Sequence, residues 1–95
     1  LLFIGIGNYY LFAPAIGGGS DSKAINKYKQ AIKKGDSYAK YMANIWIAMT
    51  YAKENNLQQV QNSLEDALAV FPEGSYATTL LDEAIAGNDI FGSYR

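Results

Sequence analysis

The sequence predicts an all-α protein built from antiparallel helical hairpins stacked in a row. Three observations carry that prediction. Ala, Leu, Gln, Glu and Lys dominate from residue 22 onward, and alternating β-branched runs are lacking. Helix stop and start signals recur at short intervals, at Pro14, Gly35-Asp36, Asn55-Asn56, Pro72-Glu73-Gly74 and Gly87-Asn88. The apolar pattern also repeats with a period near 36 residues.

The elements follow in chain order. A first helix, about 2–12, is uncharged and ends before Pro14, which cannot continue it. The stretch 13–21, APAIGGGSD, then reads as an enlarged turn. Gly17, Gly18 and Gly19 permit positive φ in a reversal, and Ser20 or Asp21 caps the next helix. That second helix begins near Ser22 and stops at Gly35, expected in the left-handed region. Asp36 caps a third helix from about Ser37, which Asn55-Asn56 closes. A fourth runs from about Leu57 to Phe71. Ser75 caps a fifth, through about Ala86.

A shift of 36 residues lays Ala24-Tyr28-Ala31 on Val60-Leu64-Ala67, and Asn8, Leu11 and Phe12 on Asn44, Ile47 and Ala48. Small residues let two helices approach and large ones fill the gaps between them. One domain over 1–95 results, with repeat 1 at about 2–35, repeat 2 at about 37–72 and a capping helix at about 75–87. The second unit resembles a tetratricopeptide repeat (TPR): Ile47-Ala48, Tyr51, Val60, Leu64, Ala67 and Pro72 stand at that motif's spacings, although Asn44 replaces its usual Trp. An apolar helix with Asn8-Tyr9-Tyr10, then Ala13-Pro14, glycines and a Lys-Ala helix, resembles a narrower group. These are the bacterial TPR proteins related to the T component of tripartite ATP-independent periplasmic (TRAP) transporters. The resemblance implies a short right-handed superhelix in a periplasmic, usually lipid-anchored protein that works with a solute-binding partner. The Cys that carries such an anchor is not in this chain.

Composition narrows the chemistry. Hydrophobic residues at 49% and charged residues at 18% fit a globular chain and argue against wholesale disorder. With no Cys, disulfides, thiolate zinc sites and cysteine nucleophiles are excluded. With no His, the commonest general base and metal ligand is missing too. The apolar run from Leu1 to Ala13 is shorter than the about 20 residues a crossing helix needs. No basic segment precedes it, so it does not read as a signal peptide. The lack of Met at position 1 suggests a fragment of a longer protein.

Other site signals give way to structural readings. The glycines lack the Lys-Ser/Thr pair and the preceding strand of a phosphate loop, and Asp21 would repel phosphate. Glu65-Asp66 and Asp82-Glu83 are helix neighbours about 100° apart, so neither pair converges on a substrate. Residues 1–53 carry seven Lys and two acids, a charge of +5; residues 54–95 carry one Arg and seven acids, a charge of −6. Lys23, Lys27, Lys33 and Lys34 lie opposite Ala24, Tyr28 and Ala31, as on the solvated face of an amphipathic helix, so a nucleic-acid partner is not expected. The polarity instead favours head-to-tail contacts between copies.

The informative pattern lies on the third helix. Asn44, Ile47, Ala48 and Tyr51 form its expected core side, yet Met42, Ile45, Trp46, Met49 and Lys53 form a second stripe opposite. The equivalent side of the first helix carries Ile6, Tyr9, Tyr10 and Ala13. In tetratricopeptide repeats the first helices of successive units line a concave groove. The expectation is therefore an apolar, aromatic groove of Ile6, Tyr9, Tyr10, Met42, Ile45, Trp46 and Met49, edged by Lys53, that binds a protein, a peptide or an apolar ligand. The other arrangement fills the same stripe with another helix, a missing N-terminal segment or a second copy, making it a packing or self-assembly interface. Among the tyrosines, Tyr28 and Tyr51 are expected in the core, and Tyr9, Tyr10, Tyr38 and Tyr41 at an interface. The chain reads as a non-enzymatic scaffold without cofactor or metal, an accessory to periplasmic solute uptake if the narrower resemblance holds.

Overall fold

The computed structural model describes residues 1–95, and the chain is all-helical. Its helices are α1 Leu2–Phe12, α2 Asp21–Lys34, α3 Ser37–Lys53, α4 Leu57–Val70 and α5 Ser75–Ile85. Short 3-10 turns at Ala15–Gly17 and Gly92–Tyr94 lie in the α1–α2 loop and the C-terminal segment. Each helix packs on its successor and α1 also reaches α3, so hairpins α1–α2 and α3–α4 stack with α5 beyond them. The slab measures 37 × 31 × 18 Å. No helix is long and apolar enough to cross a membrane.

The period read from the sequence is visible in the helix bounds. α2 and α4 are both 14 residues long, and Asp21 and Leu57 begin them 36 residues apart. Their caps correspond as well. Ser20 Oγ accepts the Lys23 N–H at 3.2 Å, and Asn56 Oδ1 accepts the Gln59 N–H at 3.4 Å, each satisfying a donor that a helix start leaves orphaned. Asp36 caps α3 by accepting the Ala39 N–H at 2.9 Å.

Three local expectations change. Gly35 ends α2 with φ −88°, not in the left-handed region; it must be glycine because a Cβ there would sit 2.5 Å from both the Ala31 carbonyl oxygen and the Ala39 methyl. Of the glycine triplet, only Gly18 takes positive φ, at 97°. Ser75 is the first helical residue of α5, not its cap. The cap position is Gly74, which has no side chain to offer, so the Tyr41 hydroxyl crosses from α3 and accepts the Ala77 N–H at 3.0 Å. Tyr41 is therefore buried in the core, a correction to its expected interface role.

One buried cluster runs through both hairpins. It joins Ile4, Leu11 and Tyr28 to Ile45, Ile47 and Met49, then to Val60, Leu64, Leu80 and Phe91. Its alanines, including Ala24, Ala43, Ala48, Ala67 and Ala77, are fully buried, as close helix approach requires. Tyr28, expected in the core, is fully enclosed against Gly7. Its hydroxyl donates to Asn8 Oδ1 at 2.6 Å. Tyr51 is only half-buried.

Candidate interaction surface

The predicted groove residues separate into four groups. Ile45 and Met49 are 1% and 2% exposed and belong to the same buried cluster as Leu80, Ala84, Ile90 and Phe91. They are core, so their expected role in a binding groove is corrected. The physical reason is that α3 lies mid-stack, with material on nearly all sides. Only Met42, Trp46 and Lys53 of its predicted second stripe keep partial exposure.

Lys53 forms the second group. Its ammonium donates to the Leu11 carbonyl at 3.0 Å and pairs with Asp21 at 2.7 Å. Pro14 forces α1 to end early, which leaves its last carbonyls unpaired; Lys53 supplies the cation that a helix C-terminus favours. The side chain thus clasps α1, α2 and α3 together, a structural role in place of the groove edge expected for it.

Tyr10, the third group, turns toward α2, where the Lys23 ammonium stands 5.7 Å from its ring centroid. In the same group Ile6 and Tyr9 turn outward and, together with Tyr10, line a shallow depression with Leu1, Leu2 and Gly5. The Tyr9 hydroxyl donates to the Gly17 carbonyl at 2.7 Å and so ties α1 to the glycine loop.

The last group is an aromatic patch that the sequence pattern did not assemble. Half-exposed Trp46 meets Phe12 edge-on at 5.8 Å, and Tyr94 packs on Phe12 at 5.3 Å and on Trp46 at 6.1 Å. Phe91 stacks on Phe12 at 5.9 Å. The chain's own C-terminal segment therefore lies across the first helices of both hairpins. Arg95 fastens it: its guanidinium donates to the carbonyls of Ala52 and Lys53 at 2.9 and 3.1 Å, and to Asp89 at 2.6 Å. The Arg95 hydrogen bond holds the Asp89 carboxyl below the usual carboxylate range. Ile90-Phe91 after the Gly87-Asn88 stop was the available sequence signal. An apolar pair following a helix break marks a segment that folds back.

The remaining candidates stay where a structural role puts them. Glu65, Asp66, Asp82 and Glu83 are exposed on α4 and α5. Tyr38 is exposed at the start of α3. Burial, with Asp21 nearby, pushes the Tyr28 hydroxyl well above its ordinary range, so it stays protonated as the donor to Asn8. A cavity of about 170 Å³ lies between the α3–α4 turn and the C-terminal segment, lined by Ala52, Asn55, Leu57, Val60, Ala84 and Asn88 among others.

No family model, curated protein or solved structure matches the chain. The surface is therefore read from its own chemistry.

Proposed function

We propose that the chain is a non-enzymatic, tetratricopeptide-like scaffold that holds a protein or peptide partner against the patch formed by Phe12, Met42, Trp46 and Tyr94. The observation that carries this reading is the aromatic cluster itself. Phe12 and Tyr94 are exposed and Trp46 half-exposed, and the three rings, from three elements, pack on one another. Large rings with few rotatable bonds contribute burial at low entropic cost. Each Å² of apolar surface covered by a partner contributes about 25 cal/mol before association costs. Met42, one helical turn before Trp46 on α3 and partly exposed, adds an adaptable side chain.

The 36-residue repeat of caps, helix lengths and core positions supports the tetratricopeptide reading. The narrower resemblance at residues 8–31 makes an accessory to periplasmic solute uptake the specific form of it, and a solute-binding protein the first partner to try. The test is a pull-down with wild type against Met42→Ala plus Trp46→Ala. Both sites are partly exposed, so the variant is expected to keep its helical circular dichroism and lose its partners. A folded variant that captures the same partners would rule the patch out.

A further inference from the structure

The first hairpin carries a second surface that the scaffold reading leaves unused. Residues 1–20 hold no charged side chain. Leu1 and Leu2 are each 73% exposed and, with Ile6 and Tyr9, line one depression along α1. The depression leads to the glycine loop through the Tyr9–Gly17 hydrogen bond, and on that loop Ile16 is 100% exposed. The loop is nonetheless fixed. Gly17 and Gly19 N–H groups both donate to the Pro14 carbonyl, and the Ser20 N–H donates to the Tyr10 carbonyl. A fully exposed Ile on a tied loop cannot retract into the core.

A row of cations borders this ridge. Lys23, Lys27 and Lys34 share one face of α2 at i, i+4 and i+11. The Lys23 ammonium stands over Tyr10 and that of Lys34 over Phe3, each 5.7 Å from the ring centroid, so the row runs beside α1. Residues 1–35 contain a single acid, Asp21, and Lys53 already pairs with it. Six of the nine acidic residues lie at α4 and beyond.

We infer that this face docks on an anionic lipid surface, with Leu2 and Ile16 entering the headgroup region and the lysine row meeting lipid phosphates. The patch suits lipid better than a protein partner because it offers little directional chemistry. Of its two hydroxyls, that of Tyr9 is already spent on Gly17 and only that of Tyr10 is left, and the lysines are long and form no ion pair. An apolar ridge beside lysines needs only burial and counter-charge, which a headgroup layer supplies without fixed register. The acidic half is repelled from the same surface, favouring an orientation that turns α4 and α5, which do not pack on α1, away from it.

The experiment is co-sedimentation of the full chain with phosphatidylcholine vesicles, with and without phosphatidylglycerol. Wild type is expected to sediment with the phosphatidylglycerol vesicles, less with phosphatidylcholine alone, and less at high salt. Ile16→Asp and the triple change Lys23→Glu, Lys27→Glu, Lys34→Glu alter exposed or half-exposed positions and leave the helical signal unchanged. Each is expected to weaken vesicle binding at least tenfold, since one lysine near an anionic surface is worth about fivefold. Trp46→Ala should bind vesicles as wild type does, which separates this face from the aromatic patch. Wild type that stays in the supernatant overturns the inference, as do variants that sediment equally, or velocity sedimentation showing a dimer that Ile16→Asp dissociates.

Discussion

The two hairpins have the same frame and fill it differently. At equivalent positions the first places Gly7 and Tyr28, the second Ala43 and Leu64, and all four are buried. A large ring is matched with the smallest residue, and a smaller side chain with a methyl. The neighbouring asparagines follow suit. Asn8 receives the Tyr28 hydroxyl at 2.6 Å; Asn44, facing a leucine position, turns back and donates to the Lys40 carbonyl at 3.0 Å in its own helix. The lesson is that volume is conserved across the pair of positions, not at each one, and that the polar group adapts to whatever the pair leaves.

The sharpest way to break the comparison is Gly7→Ala. Its Cβ would lie 2.5 Å from Tyr28 Cε1, and the ring is fully buried, so it has no solvent to move into. Overpacking of this kind is expected to cost about 2–3 kcal/mol, a fall in Tm of about 8–24 °C for a domain of this size. Adding Tyr28→Leu rebuilds the Ala43/Leu64 pairing in the first hairpin and should recover more than half of the loss. If the double variant is less stable than Gly7→Ala alone, in thermal or urea unfolding, the two hairpins are not interchangeable frames.

The hairpins also differ in how their first helices end. α3 runs on to Lys53 before a three-residue turn, in which Asn55 takes φ 60°. α1 stops at Phe12 and spends the corresponding residues, 13–20, on the glycine loop. The register of α2 is preserved because the loop replaces helix and adds no residues. Each helix end then borrows a cation from further along the chain: Lys53 on the Leu11 carbonyl, Arg95 on those of Ala52 and Lys53. These clasps rank by burial. Lys53→Met should cost about 1–2 kcal/mol, because it also leaves Asp21 without its partner. Arg95→Ala, at a more exposed pair, should cost less than about 1 kcal/mol, and high salt should mask much of it. Asp89 carries the sign of the second clasp. Its carboxyl is held low in the folded state, so its contribution is present above the unfolded carboxylate range and is lost as pH falls through the folded value. Arg95→Ala should therefore cost more at neutral pH than in acid, where only its hydrogen bonds to the Ala52 and Lys53 carbonyls remain to be lost.

How much was legible in the sequence follows from which forces are local. Periodicity, caps and breakers are read over a few residues, so all five helices and the Ser20, Asp36 and Asn55 signals could be placed in advance. The 36-residue shift supplied the core pairs Ala24/Val60, Tyr28/Leu64 and Ala31/Ala67, because repeats reuse one packing solution. The site was less legible. A stripe such as Ile45 and Met49 looks the same whether solvent or another segment covers it, and only the tertiary path of Ile90 and Phe91 decided that. Tyr41 was misplaced for a related reason: its hydroxyl serves a helix start 36 residues away, a pairing no local window contains. Lys53 was placed on the right helix with the wrong task, because the orphan carbonyl it satisfies belongs to α1.

The smallest test concerns Glu54, where α3 passes into its short turn. Its carboxyl is raised above the ordinary value, first by burial and then by the nearby negative charge of Asp21, with Lys53 pulling the other way. A carboxyl raised on folding contributes stability that is complete below the unfolded carboxylate range and is lost as pH rises through the folded value. At neutral pH, then, ionised Glu54 works slightly against the fold, while Lys53 beside it works for it. Glu54→Gln removes the charge and keeps the shape. It should raise stability at neutral pH by a few tenths of a kcal/mol at most, given how exposed the group is, and change nothing in acid where wild type is already protonated. In the Lys53→Met background the gain should grow, since Asp21 and Glu54 would then face each other without the cation between them. A gain that stays the same in that background would mean that Lys53 is not coupled to Glu54, and that the first hairpin's clasp involves no charge on α3 beyond its own ammonium.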